Sequence, residues 1–219
     1  MAYKIFLSPS NQTDNCYAYG NTTEAIQCGK IAAAAEKALK RCGFEVKLVH
    51  MESMYDKVPI AESWGADLYV PIHTNAFNGK VGGTRIFYYA ENGEGHKAAQ
   101  CVYKYLKPLT IGTSDNITPY PDLYEVQYPS APTVYVEAEF HDNPEYAKWI
   151  IEHIEDIAEG ITKGICEYYG VKYVEEPKPI IEPAAALYRV QVGAFSKREN
   201  AEKMLAALKA AGFEGYIRT

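Results

Sequence analysis

The chain has 219 residues, of which 47% are apolar and 23% are charged, as in an ordinary globular protein with one main core. The formal net charge of −6 and the absence of a basic cluster argue against a nucleic-acid-binding surface. No stretch of about eighteen apolar residues occurs, and the apolar run at the start is short for a signal peptide. We therefore expect synthesis in the cytoplasm and no stable membrane anchor.

The first half of the chain alternates strand and helix patterns. Strands are predicted at residues 4–8, 44–49, 67–72 and 84–89, and helices at 21–43 and 58–64. A helix at 96–106, a loop-rich region at 110–132, a strand at 133–140 and a long helix from Pro144 to about Tyr169 follow. Asn143 is a suitable N-cap for that helix. This order predicts an α/β domain with a single, mostly parallel twisted sheet and helices on both faces.

The composition changes after Gly170. Residues 171–186 carry three prolines and several charges without periodicity, which is typical of a semi-rigid linker. Residues 187–192, 201–211 and 213–217 then predict a strand, a helix and a second strand, a small βαβ appendage. We therefore divide the chain into a domain at 1–170, a linker at 171–186 and a C-terminal unit at 187–219. The five widely spaced cysteines include no CxxC pair, and we expect free thiols.

Polar side chains stand at two sites near the predicted sheet edge. His73 ends the apolar run in VPIHTNA, where open α/β sheets place ligands, although a lone histidine there is more often structural. Glu24 in NTTE either closes a capping box with Asn21 or faces the same edge as His73. If the second interpretation holds, the two side chains meet in one crevice.

The strand TVYVEAEF adds two carboxylates. Alternation would place Glu137 and Glu139 on one face, and buried carboxylates are costly unless they are paired or bound to a metal. An edge strand with both glutamates in solvent is the alternative. We favour a functional acid at Glu137 because the flanking sequence is apolar.

These motifs together resemble the zinc-dependent N-acetylmuramoyl-L-alanine amidases of the type-3 family, cell-wall hydrolases of bacteria and phages, over residues 3–169. In that family a Gly-His motif follows the first strand, a glutamate opens the next helix, a strand ends in His-x-Asn-Ala and a late strand carries Val-Glu. GNTTE, IHTNA and YVEAEFHDN provide three of these four features. The resemblance implies that Glu24 and His73 bind Zn²⁺ and that Glu137 is the catalytic acid or base.

The fourth feature differs, because LSPSNQ offers Asn11 where the family has histidine. A neutral amide is a poorer zinc ligand than imidazole, and catalytic zinc normally has three protein ligands. On a continuing strand His141 would share a face with Glu137, so it is a second candidate for the missing ligand. Asn75 and Glu139 are expected to contact substrate or to brace the site.

The tail YRVQVGAFSKRENAEKMLAALKAAGFEGYI resembles the first half of the sporulation-related (SPOR) repeat, which binds peptidoglycan glycan strands. The full repeat has further strands and a helix, so we expect this half to pack on the first domain or on a second chain in a homodimer.

Three functions remain open. The first is a zinc amidase that cleaves between N-acetylmuramic acid and L-alanine, of endolysin or autolysin type, acting on the wall after release by lysis or holin-type export. The second is a metal-free peptidoglycan-binding module with a decayed site, which Asn11 favours. The third, a glycosidase built on Glu137 and Glu139, is disfavoured because neighbouring side chains on one strand face would not flank a sugar.

Overall fold

A computed structural model describes residues 2–177 and 190–218 of the chain. The chain divides into two compact units, Met1–Glu176 and Pro177–Thr219. The first unit thus extends to Glu176, past the predicted boundary at residue 170. Val174 explains the extension, because its carbonyl accepts a hydrogen bond of 2.8 Å from the Arg41 side chain. Part of the predicted linker, residues 178–186, lies outside the described residues.

A single mixed sheet of six strands forms the centre of the first unit. Its strands are β1 (Lys4–Pro9), β2 (Glu45–Leu48), β3 (Leu68–Asn75), β4 (Arg85–Tyr88), β5 (Asn116–Pro119) and β6 (Tyr135–Phe140). They lie in the order β2-β1-β3-β6-β4-β5, and every neighbouring pair is parallel except β4 and β6. The predicted α/β class with a mostly parallel sheet is confirmed. The last strand before the long C-terminal helices, β6, occupies a central position.

Seven helices are present in the described parts of the chain. They are α1 (Glu24–Arg41), α2 (Met54–Trp64), α3 (Glu94–Leu106), α4 (Tyr124–Gln127), α5 (Pro144–Glu152), α6 (Ile154–Tyr169) and α7 (Arg198–Ala210). The single helix predicted from Pro144 to Tyr169 is broken at His153, whose ring nitrogen Nδ1 lies 2.8 Å from the Trp149 carbonyl. In a continuous helix the Trp149 carbonyl would accept the backbone N–H of His153, and here the His153 side chain occupies that carbonyl.

Helices cover both faces of the sheet. The larger core joins β1, β3 and β6 to α1, α3 and α6 through side chains such as Leu7, Ile72 and Val136. A smaller cluster of Phe6, Tyr69, Val58 and Ala61 packs α2 on the opposite face. Within β1 and within β3, successive residues thus face different cores, as strand alternation requires.

The second unit contains α7. No strand is present at residues 190–195 or 213–218, and the start of the first predicted strand, residues 187–189, lies outside the described residues. The predicted helix at 201–211 corresponds to α7. All five cysteines are free, as expected, and within the described ranges no helix is long and apolar enough to cross a bilayer.

Candidate functional site

The centre of the sheet brings His73 and Glu137 side by side. The two residues are partners in the parallel pairing of β3 with β6, so their side chains leave the same face of the sheet. β6 lies between β3 and β4, and the alternative of a solvent-facing edge strand is therefore wrong.

Glu24 closes onto His73 from the first turn of α1. Its Oε1 lies 2.8 Å from His73 Nδ1, and its Oε2 accepts a hydrogen bond of 2.7 Å from Asn15 Nδ2. The helix begins at Glu24 itself, after Thr23 as N-cap, so the capping-box interpretation is wrong. Burial opposes ionisation of Glu24, but the contacts with His73 and Asn15 outweigh it and lower the pKa of this carboxyl. The crevice predicted between residues 24 and 73 is present.

A second carboxylate, Glu125, approaches the other edge of the imidazole. Its Oε2 lies 3.7 Å from His73 Nε2, and its Oε1 accepts hydrogen bonds from the hydroxyls of Ser8 and, at 2.8 Å, Tyr69. Burial raises the pKa of Glu125, yet these contacts outweigh it and the net direction is downward. Sequence reasoning missed Glu125, which lies on α4 inside a region predicted as loop. No local pattern in YEVQ marks a glutamate that will be buried.

The environment of His73 favours its charged form. Burial alone would lower its pKa, but Glu125 and Glu24 on its two edges raise it to about 9. The ring is 6% exposed and stacks on Tyr135 with centroids 4.7 Å apart. Nε2 forms no hydrogen bond to the described residues. The imidazole is therefore held by two carboxylates and one aromatic ring.

Glu137 is the carboxylate best suited to proton transfer. Burial raises its pKa to about 8, with a smaller opposing effect from the His73 charge. Its Oε2 is buried and has no hydrogen-bond partner among the described residues. A carboxyl with a pKa close to neutral and a free oxygen beside His73 can take up and release a proton.

The candidates for the missing metal ligand do not reach Glu24 or His73 through any hydrogen bond. Asn11 is exposed, and its side-chain nitrogen donates to the Glu52 carbonyl at 2.9 Å. His141 is buried, stacks on Tyr17, and places Nδ1 2.9 Å from the Thr74 carbonyl. Burial lowers the pKa of His141, so the neutral ring carries its proton on Nδ1 and leaves Nε2 unprotonated.

Strand alternation fails beyond Glu137. The pairing of β3 with β6 shifts register, so that Asn75 lies opposite Phe140 where regular pairing would place Glu139. The Glu139 carboxylate instead accepts hydrogen bonds from three backbone N–H groups, those of Gly83, Gly112 (3.1 Å) and Phe140 (3.0 Å). With both oxygens occupied, Glu139 braces two loops, and the two-carboxylate glycosidase loses its second acid.

Asn75 also braces the chain. Its side-chain oxygen accepts the Ala76 N–H at 2.8 Å, and its carbonyl accepts the His141 N–H at 2.8 Å. It thereby ties the end of β3 to the residue that follows β6.

The donor set fits a zinc ion in part. Glu24 Oε1 and His73 Nδ1 are the donor types that zinc takes, but at 2.8 Å they are hydrogen-bonded and closer than the roughly 3.3 Å between neighbouring ligands of a tetrahedral zinc. In the described part of the chain no three His, Cys, Asp or Glu side chains are arranged around a common point. Glu125 cannot complete the set with Glu24, because the two carboxylates lie on opposite edges of the ring. The pair of Glu24 and His73, with the free Glu137 oxygen beside it, is the part that fits.

Comparison with family models gives two matches. Residues 8–167 match the Amidase_3 family, described as N-acetylmuramoyl-L-alanine amidase. Residues 169–219 match the SPOR domain. Both resemblances inferred from the sequence are confirmed, and the first match covers more than half of the chain.

Two curated relatives carry the same description. The chain is 27% identical over 171 residues to the N-acetylmuramoyl-L-alanine amidase CwlM of Bacillus licheniformis, covering 75% of this chain and 62% of the relative. It is 23% identical over 223 residues to the sporulation-specific N-acetylmuramoyl-L-alanine amidase of Bacillus subtilis, covering 98% and 84%. The chain thus spans less than two thirds of the length of the first relative.

Solved structures share the fold. The catalytic domain of CwlV, an N-acetylmuramoyl-L-alanine amidase from Bacillus (Paenibacillus) polymyxa, superposes with a TM-score of 0.70 at 21% identity, over 78% of this chain and all of that domain. The amidase AmiC2 of Nostoc punctiforme gives 0.69 at 21% identity, over 77% and 97%. At this identity the likeness establishes the fold alone.

Proposed function

Since the chain belongs to the N-acetylmuramoyl-L-alanine amidase family, we propose that it is a cell-wall hydrolase that cleaves the amide bond between N-acetylmuramic acid and L-alanine in peptidoglycan. The observation that carries the proposal is the convergence of Glu24, His73 and Glu137. These side chains come from positions far apart in the sequence and meet at the centre of one sheet.

Amide hydrolysis needs an activated water, stabilisation of the carbonyl oxygen and a proton for the leaving amine. When bound, zinc supplies a Lewis acid and lowers the pKa of a coordinated water to about 7. Glu24 and His73 would hold the ion through Oε1 and Nδ1. The free Oε2 of Glu137 would take a proton from the attacking water and pass it to the leaving nitrogen. Tyr135 keeps the His73 ring in place by stacking on it.

The third ligand is the departure from the family pattern. Asn11 stands where the family has histidine, and its amide faces Glu52. His141 has the tautomer that a ligand needs, because its Nδ1–H is committed to the Thr74 carbonyl. With Glu24 and His73 alone, zinc would be bound more weakly than in a site with three protein ligands.

The test combines metal analysis with product identification. The purified chain is incubated with defined muropeptides, with and without added zinc, and the newly freed terminus is identified by mass. We expect a free L-alanine amine, loss of activity with chelator, and loss with Glu137→Gln. Glu91→Gln is the matched control, since it removes a carboxylate that lies 3.0 Å from His96 on the protein surface. Release of a reducing sugar end would contradict the proposal.

A peptidoglycan-binding module without catalysis is the second candidate. The observation that favours it is the incomplete ligand set, in which Asn11 replaces an imidazole and donates its side-chain N–H to the Glu52 carbonyl. For that function, intact sacculi bind the chain while no muropeptide is cleaved at any zinc concentration. Cleavage by the wild type and not by Glu137→Gln excludes it.

The C-terminal unit supports the same substrate. The SPOR match suggests that residues 169–219 bind glycan strands, and Phe213 and Tyr216 are 65% and 69% exposed, as stacking side chains would be. Binding of the full chain to sacculi, compared with Phe213→Ala and Tyr216→Ala in the Glu137→Gln background, tests this. Light scattering of the full chain tests the proposed homodimer. Release by lysis or holin-type export remains part of the proposal, and a lysis assay from within the host tests it.

A further inference from the structure

We propose that Arg85 binds the α-carboxylate of the second residue of the peptidoglycan stem peptide, so that the chain prefers peptidoglycan in which this group is ionised. The inference rests on the proposed function, in which Glu137 acts at the amide of L-alanine. The second residue of the stem is a D-glutamate joined through its γ-carboxyl group, and its α-carboxyl group is either free or converted to an amide. Arg85 lies outside the motifs GNTTE, IHTNA and YVEAEF.

Arg85 lies on the same face of the sheet as Glu137. The two residues are partners in the antiparallel pairing of β4 with β6, and paired residues project to one face. The next residue, Ile86, points to the other face and is fully buried in the larger core. Arg85 and Phe87 are half-buried. β4 thus presents Arg85 on the face that holds the candidate site, within reach of a ligand.

The guanidinium of Arg85 has unused hydrogen-bond donors. Its Nη2 donates to Ser114 Oγ at 2.9 Å, and its Nε is buried without an acceptor in the described part of the chain. Within those residues no carboxylate forms an ion pair with Arg85. Its Cζ lies 5.6 Å from the centroid of the Phe140 ring, a cation–π contact that holds the guanidinium. An arginine that is held in place without a counter-ion is suited to a carboxylate of the substrate, whose geometry its planar fork matches.

The spacing between Glu137 and the guanidinium selects the second residue of the peptide. The guanidinium lies over Phe140, which pairs with Asn75, while Glu137 pairs with His73. Because Asn75 follows His73 by two positions on β3, Glu137 and Phe140 are about 7 Å apart along the strands. Two residues of an extended peptide also cover about 7 Å. A peptide whose L-alanine nitrogen lies at Glu137 therefore brings the α-carboxylate of the next residue to the guanidinium.

The opposite side of Glu137 is aromatic. Tyr135 precedes Glu137 by two positions on β6 and pairs with Phe87. The Phe87 ring lies 5.3 Å from the ring of Tyr120, which is 45% exposed. Exposed aromatic rings suit the face of a sugar, so the muramic acid ring would lie on this side. The cationic side of Glu137 is then left for the peptide.

The test measures binding of two muropeptides to the full chain by calorimetry, in chelator, where we expect no cleavage. The ligands are N-acetylmuramoyl-L-alanyl-γ-D-glutamyl-L-lysine and its D-isoglutaminyl counterpart, which differ only in the α-carboxylate or α-carboxamide of the second residue. We expect wild type to bind the carboxylate form about 10-fold more tightly, at the lower end for a hydrogen bond between charged groups because Arg85 is half-buried.

Three variants assign the preference to Arg85. Arg85→Gln removes the charge while it keeps a side chain over Phe140, and we expect equal affinity for the two muropeptides. Arg85→Lys keeps the charge without the planar fork and should retain part of the preference. Lys104→Gln is the matched control, because it removes a cation that pairs with Glu167 away from the site, and the wild-type preference should remain.

The outcomes separate this inference from the proposed function. Equal affinity of wild type for the two muropeptides, no measurable binding of either, or an unchanged preference in Arg85→Gln would overturn the inference, and cleavage of the muramoyl–L-alanine bond would still support the hydrolase. A preference that Arg85→Gln abolishes, in a chain that cleaves neither muropeptide when zinc is added, would support the carboxylate site and contradict the hydrolase. If Arg85→Gln fails to fold, Ser114→Ala removes the hydroxyl that positions the guanidinium, and a smaller loss of preference is expected.

Discussion

The stability of the metal-free protein should fall as pH rises from 6 to 9.5, because His73 is charged only in the folded chain over much of that range. Its two carboxylate neighbours raise its pKa from 6.5 to about 9. Stability from this group is therefore complete below pH 6.5 and is lost as pH passes 9. At about 1.4 kcal/mol per pKa unit, the free energy of unfolding changes by about 3 kcal/mol. Glu137 acts in the same direction, since burial raises its pKa to about 8.

The assay is thermal unfolding of the full chain in chelator, with wild type compared with His73→Asn at each pH. The variant leaves Glu24 and Glu125 buried without a cation, so we expect it to be about 3–5 kcal/mol less stable at pH 6. The difference should narrow by about 3 kcal/mol at pH 9.5, or about 6–12 °C in Tm. His153→Asn is the control, since that ring bonds a carbonyl rather than a carboxylate. A difference between wild type and His73→Asn that does not change with pH would refute the reasoning.

Three further predictions use the same structure. Glu137→Gln should reduce muropeptide cleavage by about 10²- to 10⁴-fold. Its thermal unfolding in chelator at pH 9 should show equal or higher stability than wild type, because the substitution removes a buried carboxylate. A destabilised variant would contradict this. Glu139→Ala should lower the free energy of unfolding in denaturant by about 2–5 kcal/mol, since three backbone N–H groups lose their acceptor. A decrease below about 0.5 kcal/mol would be inconsistent with this role of Glu139. Gly164→Ala should lower the free energy of unfolding by about 1–3 kcal/mol despite the better helix propensity of alanine, because the added Cβ would clash with Val102 Cα in α3. A more stable variant would show that α3 and α6 can move apart at little cost.

Several features of the fold followed from local sequence. The apolar runs of β1 and β3 and the Asn143-Pro144 start of α5 act within a few residues, and their positions were predicted. The placement of His73 at the end of β3 followed in the same way. The C-terminal strands were not observed at residues 190–195 and 213–218, because a strand needs a pairing partner and neither segment has one among the described residues.

Sequence alone determined most strands and helices of the first unit, the candidate residues Glu24, His73 and Glu137, and the family that the chain resembles. Tertiary structure decided the rest of the site. The register shift between β3 and β6 separates Glu139 from Glu137. Such a shift depends on how two strands pair, so the alternation of residues along one strand does not predict it. Glu125 reaches His73 because α4 docks its carboxylate on hydroxyls of β1 and β3, one of them 117 positions earlier in the chain. Such a contact depends on long-range packing, which local periodicity does not record.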